Sequence, residues 1–250
     1  MNIFLFVFIL ILVILMVLYP VSGIRGIREL RRKYAEGLPY SKISFYRSSM
    51  FASWLVVFLI LLLIPLSGVS LTDLGFRWGL PDRSSLSGWI FYPGIVLYIM
   101  HLGQNLYYIS IFRSKSEKRK KLAGSIPDDF NFFLPITARE KKVWNYLSLS
   151  AGITEEIIYR GYLFFALAVI FPSLHLVYIL LLSTLVFGVG HLYLGKEVVK
   201  STFLGLLFGV YYIVFDSLYP VMLIHTVQDL VVRDILQEEE NNGEPISRMQ

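Results

Sequence analysis

Long apolar runs alternate along the chain with short polar or basic stretches, and the runs approach the roughly 20 residues that a helix needs to cross the hydrocarbon core of a bilayer. They predict helical spans over residues 3–19, 50–66, 87–112, 143–171, 176–191, 201–215 and 220–235. The expected fold is therefore all-α, a polytopic transmembrane helical bundle of about seven spans, six to eight once short runs are merged or split. Polar residues inside these runs are few. They fall mainly in the fourth, fifth and seventh, with His101, Gln104 and Asn105 in the third.

Composition supports this reading. Of 250 residues, 56% are hydrophobic and 16% charged, against about 45–50% and about 25% in soluble domains. A soluble single domain and a disordered chain are excluded, and the absence of cysteine excludes a disulfide scaffold and thiolate chemistry. The first run lacks the basic residues that precede a secretory signal, so it reads as a retained anchor despite the tolerable cleavage site Val21-Ser22-Gly23.

The net charge of +5 is explained by topology. Twenty of the 23 Lys and Arg residues fall on one side of the spans, in the stretches after the first, third, fifth and seventh. Arg77 and Arg83 lie on the other side and Arg160 inside a span. The positive-inside rule then places the N-terminus outside and the C-terminus in the cytoplasm, and leaves no support for nucleic acid as a partner. Three regions follow: 1–70, two spans with a basic cytoplasmic loop; 71–236, a membrane domain carrying the chemistry; and 237–250, a polar cytoplasmic tail. The basic run Lys118–Lys121 in the linker 114–137 reads as a solvated or headgroup-facing segment.

Ionisable groups within a span cost about 2.5–3.5 kcal/mol each, so each needs a reason. The fourth span holds Glu155, Glu156 and Arg160 within six residues. Thr137 and Glu140 form a capping-box pattern that starts this helix near Ala138 and favours continuous helix from there. Glu156 and Arg160, four apart, form a structural ion pair. Glu155 is turned about 100° away and must face a cavity, water, a ligand or another polar group. Candidate companions are His191, closing the fifth span, and His225 and Asp229, one helical turn apart in the seventh. Two imidazoles and two carboxylates, if they converge, suit water activation, divalent-metal binding or proton transfer. Counted along the spans, Glu155 falls near mid-bilayer, His191 nearer the cytoplasmic face and His225 nearer the external one, so convergence requires tilted, short or broken helices. Gly205 with Gly209, and Gly188 with Gly190, read as helix-packing positions, and His175 as an uninformative turn residue.

Glu155-Glu156…Arg160, Phe187…His191 and His225…Asp229 resemble, in order and spacing, the EExxxR, FxxxH and HxxxN/D motifs of the CAAX protease and bacteriocin-processing (CPBP, or Abi) family of intramembrane endopeptidases. The segments 135–140 and 71–77 resemble that family's flanking sequences, so the resemblance spans roughly residues 71–232. It implies peptide-bond hydrolysis in the membrane, with a catalytic set of Glu155, Glu156, His191, His225 and Asp229. Glu155 would be the general base activating water with His191. His225 and Asp229 would steady the oxyanion or substrate, and Glu156 with Arg160 would hold the motif helix. An ionised Asp229 cannot donate to an oxyanion, and orienting His225 is its alternative role.

No cofactor is favoured, because the first motif lacks the HExxH arrangement. A divalent metal such as zinc would be held by Glu155, His191 and His225. The implied partners are the lipid bilayer and a peptide or membrane-protein substrate, which a lipid anchor would suit. The expected location is a bacterial cytoplasmic membrane, with the protein integral and multi-pass. Alternatives are a non-catalytic membrane scaffold or immunity protein and, behind it, a proton-coupled transporter. The intact acidic and imidazole set speaks against the first, and the lack of repeated halves against the second.

Overall fold

The computed structural model describes residues 3–67, 69–78, 88–114, 117–118 and 132–234. The start of the predicted third span, Arg119–Lys121 of the basic run, Arg83 and the tail 237–250 lie outside these residues. Among the described residues there are helices and turns but no strand. The helices are α1 (3–35), α2 (Lys42–Ser67), α3 (Gly88–Arg113), α4 (138–170), α5 (Leu176–Gly190), α6 (Val198–Phe215) and α7 (Leu218–Val231). Among the described residues, four stretches are long and apolar enough to cross a membrane: Phe4–Ala35, Lys42–Leu62, Phe91–Arg113 and Leu192–Phe215. The shorter α5 is apolar throughout.

Several boundaries differ from the predicted ones. α1 continues beyond residue 19 to Ala35, because the polar half Tyr19–Ala35 is amphipathic and buries Ile27 and Leu30 while leaving its arginines outside. Pro20 lacks an amide hydrogen, and α1 widens into a π turn over Ile14–Leu18 just before it. α2 starts at Lys42 rather than residue 50, and the Lys42 ammonium donates to the Leu134 carbonyl at 2.7 Å. His175 is not idle: its side chain accepts from the Val177 amide at the start of α5.

α4 organises the bundle. It starts at Ala138 behind the Thr137–Glu140 capping box, with both reciprocal hydrogen bonds formed. It packs most extensively against α7 and α2, while α5 packs against α6. Gly152 allows the α4–α7 approach: a Cβ there would lie 2.2 Å from Thr226 Oγ1 and 2.9 Å from the Thr226 amide nitrogen. The helix is continuous but not regular. It passes through a π turn at Ile157–Tyr162, directly after the two glutamates, where the Leu163 amide donates to the Ile158 carbonyl. Widening a turn in this way leaves a carbonyl without its usual amide. The buried Ser183 hydroxyl of α5 supplies a donor, bonding Tyr159 O at 2.8 Å.

At one end, the segment 69–78 is tied to the α6–α7 turn. The Leu218 amide donates to Gly75 O and the Ser217 hydroxyl to Arg77 O, while Arg77 pairs with Asp216, which turns the chain in the left-handed conformation. Hydrogen bonds from the Ser70 hydroxyl and amide hold the Asp73 carboxyl below its ordinary pKa within that segment. Helices α1 and α2 contribute Ile11, Leu15, Val56, Val57 and Ile60 to the same buried core as α4–α7.

Candidate active site

Short and widened elements bring the motif residues together. α5 ends at Gly190, leaving His191 as its C-terminal cap, and a 3-10 turn over Leu192–Glu197 leads into α6. α7 ends at Val231 and passes into a 3-10 turn at Val232–Asp234, so His225 is six residues from the helix end. The longer seventh span predicted from hydropathy sets His225 apart from His191.

The two glutamates serve different neighbours. Glu156 is fully buried, and its Oε1 accepts from Arg160 Nη1 at 2.9 Å and from His225 Nδ1 at 2.6 Å. Arg160, 1% exposed, also donates through Nη2 to Gly205 O at 2.6 Å. Its guanidinium lies over the Phe187 and Phe208 rings, 4.9 and 5.7 Å from their centroids. The ion pair read from the spacing is therefore one part of a larger network, and the bond to His225 was not legible in it.

Glu155 faces the other way. Its Oε2 lies 3.8 Å from His191 Nε2 and 3.9 Å from His225 Nε2, and this buried oxygen has no hydrogen bond. Asp229 Oδ2 is 3.8 Å from the same His225 nitrogen. Glu155, His191, His225 and Asp229 thus surround one small volume, with Glu156 behind His225.

The imidazoles are fixed through their other nitrogens. His191 Nδ1 donates to Phe187 O at 2.8 Å, the only role open to it against a carbonyl, and the Phe187 ring stacks on His191 at 4.2 Å. His225 Nδ1 donates to the Glu156 carboxylate, with Phe208 tilted against its ring at 4.9 Å. Both Nε2 atoms consequently point toward Glu155.

Sequence reasoning missed the Gly205 carbonyl, Phe208 and Ser183. Spacing reads Gly205 as a packing glycine, and it is one, since a Cβ there would meet Phe187 Cδ1 at 2.6 Å. The same bare backbone offers its carbonyl to Arg160. The polar residues of α3 do not join this group: His101 bonds Gln228 Oε1 at 2.9 Å and Tyr211 Oη at 3.2 Å.

Glu155, His191 and His225 are the groups that would hold a divalent metal here. Ligand atoms on a tetrahedral zinc at about 2.0–2.1 Å are roughly 3.3 Å apart, whereas Glu155 lies 3.8 and 3.9 Å from the two nitrogens. Among the described residues, no three His, Asp or Glu side chains are set to hold a metal.

Comparison with known proteins places this arrangement. Residues 141–231 match the family model described as type II CAAX prenyl endopeptidase Rce1-like. Curated proteins and solved structures gave no match. The matched stretch contains Glu155, Glu156, Arg160, His191, His225 and Asp229. With four helices able to cross a bilayer, the chain is an integral membrane protein. The part of it that builds this site, residues 141–231, is similar to the type II CAAX prenyl endopeptidases of that family model.

Proposed function

We propose that the protein is an intramembrane endopeptidase that hydrolyses peptide bonds of membrane-associated, lipid-anchored peptides or proteins. The observation that carries this reading is Oε2 of Glu155, buried, free of hydrogen bonds and facing Nε2 of both His191 and His225. Separations of 3.8 and 3.9 Å exceed a hydrogen bond but suit one water held between the groups, at about 2.7–2.9 Å from each.

In the proposed reaction this water attacks the scissile carbonyl carbon. Its oxygen forms the new C–O bond, and Glu155 takes the proton. The carbonyl π pair moves onto oxygen, giving a tetrahedral oxyanion. Collapse of that intermediate breaks the C–N bond, and Glu155 passes its proton to the leaving amine. His191 orients the water through Nε2, with its tautomer set by Phe187 O. His225, held by Glu156 and flanked by Asp229, meets the oxyanion with a proton on Nε2. Asp229 orients His225 and stabilises its charged form, since an ionised carboxylate offers no hydrogen bond to an oxyanion. No step requires a metal.

The same reading takes seven helices through the membrane of a bacterial cell, N-terminus outside and C-terminus cytoplasmic. The basic stretch of α1, with Arg25, Arg28 and Arg31, then faces the cytoplasm.

Peptide termini should be compared in membrane and secreted fractions of cells carrying wild type or Glu155→Gln at matched expression. A set of termini should vanish with Glu155→Gln while the protein remains folded and inserted. Identical termini in both strains, with an unchanged cellular phenotype, would return the site to a scaffold role.

A further inference from the structure

The atoms that face the site form an unbalanced set. Glu155 Oε2 and Asp229 Oδ2 are acceptors. Both imidazoles have committed Nδ1–H, to Phe187 O and to Glu156, so in their neutral forms each presents only a lone pair at Nε2. Four acceptors therefore surround a volume in which a carbonyl oxygen must develop negative charge. A proton on His225 supplies one donor, and an oxyanion is better held by two.

Tyr19, Tyr159 and Tyr193 are the candidate donors. Tyr19 has committed its hydroxyl to Ala52 O at 2.9 Å. The Tyr159 hydroxyl is packed against α5, where a Cβ at Gly190 would lie 2.9 Å from it. Tyr193 differs from both. Its ring is 5.7 Å from that of His191, whose Nε2 faces Glu155.

The ring is braced from behind. A Cβ at Gly23 of α1 would sit 2.9 Å from Tyr193 Cδ1, and the ring packs beside Ile27 and Leu30 of the same helix. α1 lies outside the segment that matches the family model, yet it backs a side chain at the site.

Resting on the hydrolytic reading above, we propose that the Tyr193 phenol is a further catalytic residue, donating its O–H to the scissile carbonyl as this becomes an oxyanion, and that α1 positions it through Gly23. The phenol keeps its proton throughout, so it adds no step to the proton balance.

The test uses the full chain in lipid nanodiscs and an internally quenched peptide carrying a farnesylated cysteine followed by three residues, the form that a CAAX prenyl endopeptidase takes. Wild type, Glu155→Gln, Tyr193→Phe and Gly23→Ala are compared. Tyr193→Phe removes one oxygen and keeps the ring that packs on α1. Its kcat is expected to fall on the order of 100-fold with KM within twofold, as for loss of one oxyanion donor. A phosphinate analogue of the peptide, which mimics the tetrahedral intermediate, should lose a similar factor in affinity. Binding of the intact peptide in the Glu155→Gln background should not change when Tyr193→Phe is added. Gly23→Ala should lower kcat in the presence of Tyr193 and have little further effect in Tyr193→Phe.

With Glu155→Gln inactive, a Tyr193→Phe enzyme within threefold of wild type in kcat and in phosphinate affinity overturns the assignment of Tyr193 alone. So does an equal loss of affinity for intact peptide and phosphinate, which marks a structural role. Activity surviving in Glu155→Gln, or no cleavage by wild type, overturns the hydrolytic reading and this inference with it.

Discussion

Replacing Arg160 with Met tests the network beneath the site. The substitution keeps an unbranched side chain of comparable length and removes the charge. In the wild type the guanidinium is 1% exposed, bonded at 2.9 Å to Glu156 and at 2.6 Å to Gly205 O. Its loss leaves Glu156, with no exposed surface, facing only His225. Removing one partner of a buried pair costs about 3–5 kcal/mol, because the remaining charge stays desolvated and uncompensated. Methionine refills most of the volume between Phe187 and Phe208, so the cavity contribution is small and the expected loss stays in that range. Reversible unfolding in mixed micelles reads this directly, by the shift in midpoint at constant slope. The double variant Glu156→Gln/Arg160→Met removes both charges, and the two single losses should exceed its loss by at least about 1.5 kcal/mol. Arg160→Met within about 1 kcal/mol of wild type, or strict additivity in the double variant, would refute the reasoning.

Gly152→Ala places a methyl group against the Thr226 amide nitrogen and Met222 O of α7, at 2.9 and 3.0 Å, where neither backbone atom can move aside cheaply. A destabilisation of about 1–3 kcal/mol is expected, with turnover falling further than stability because His225 is carried away from Glu155. Wild-type turnover in this variant would show that the α4–α7 spacing is not critical. Prolonged dialysis against a chelator should leave cleavage of the farnesylated peptide unchanged, and loss of activity restored by stoichiometric zinc would replace the metal-free mechanism.

The apolar runs of α1, α2, α3 and α6 were legible because membrane crossing demands a length and a composition that few other contexts produce. The start of α4 was legible from Thr137 and Glu140, since a capping box is local chemistry written at fixed spacing. The ends of α1 and α7 were not, because amphipathic packing and a closing 3-10 turn set them rather than hydropathy. The chemically unusual residues Glu155, His191, His225 and Asp229 could be picked out by their cost in a membrane, but their distances are tertiary facts. The bond from His225 to Glu156 spans 69 residues of chain, and no spacing rule reaches that far. The Gly205 carbonyl was hidden for a different reason. A backbone carbonyl carries no residue identity.

The π turn in α4 has a consequence for which changes the chain can accept. A regular α-helix fixes the angle between any two side chains by their separation. The extra residue in 157–162 breaks that rule once, so the faces before and after it are set independently. The two carboxylates belong to the first register, and Leu163, Phe164 and Leu167 of the core belong to the second. Exchange of one apolar side chain for another within the turn preserves this offset. Gain of a further residue does not: it would rotate the lower register by about 100° and turn the core face away from α5, whereas loss of the extra residue closes the turn to regular helix and leaves both faces in place. Drift in composition is therefore tolerable here, while the number of residues between Glu156 and Leu163 can fall by one only with loss of the widened turn and cannot rise without turning one of the two faces.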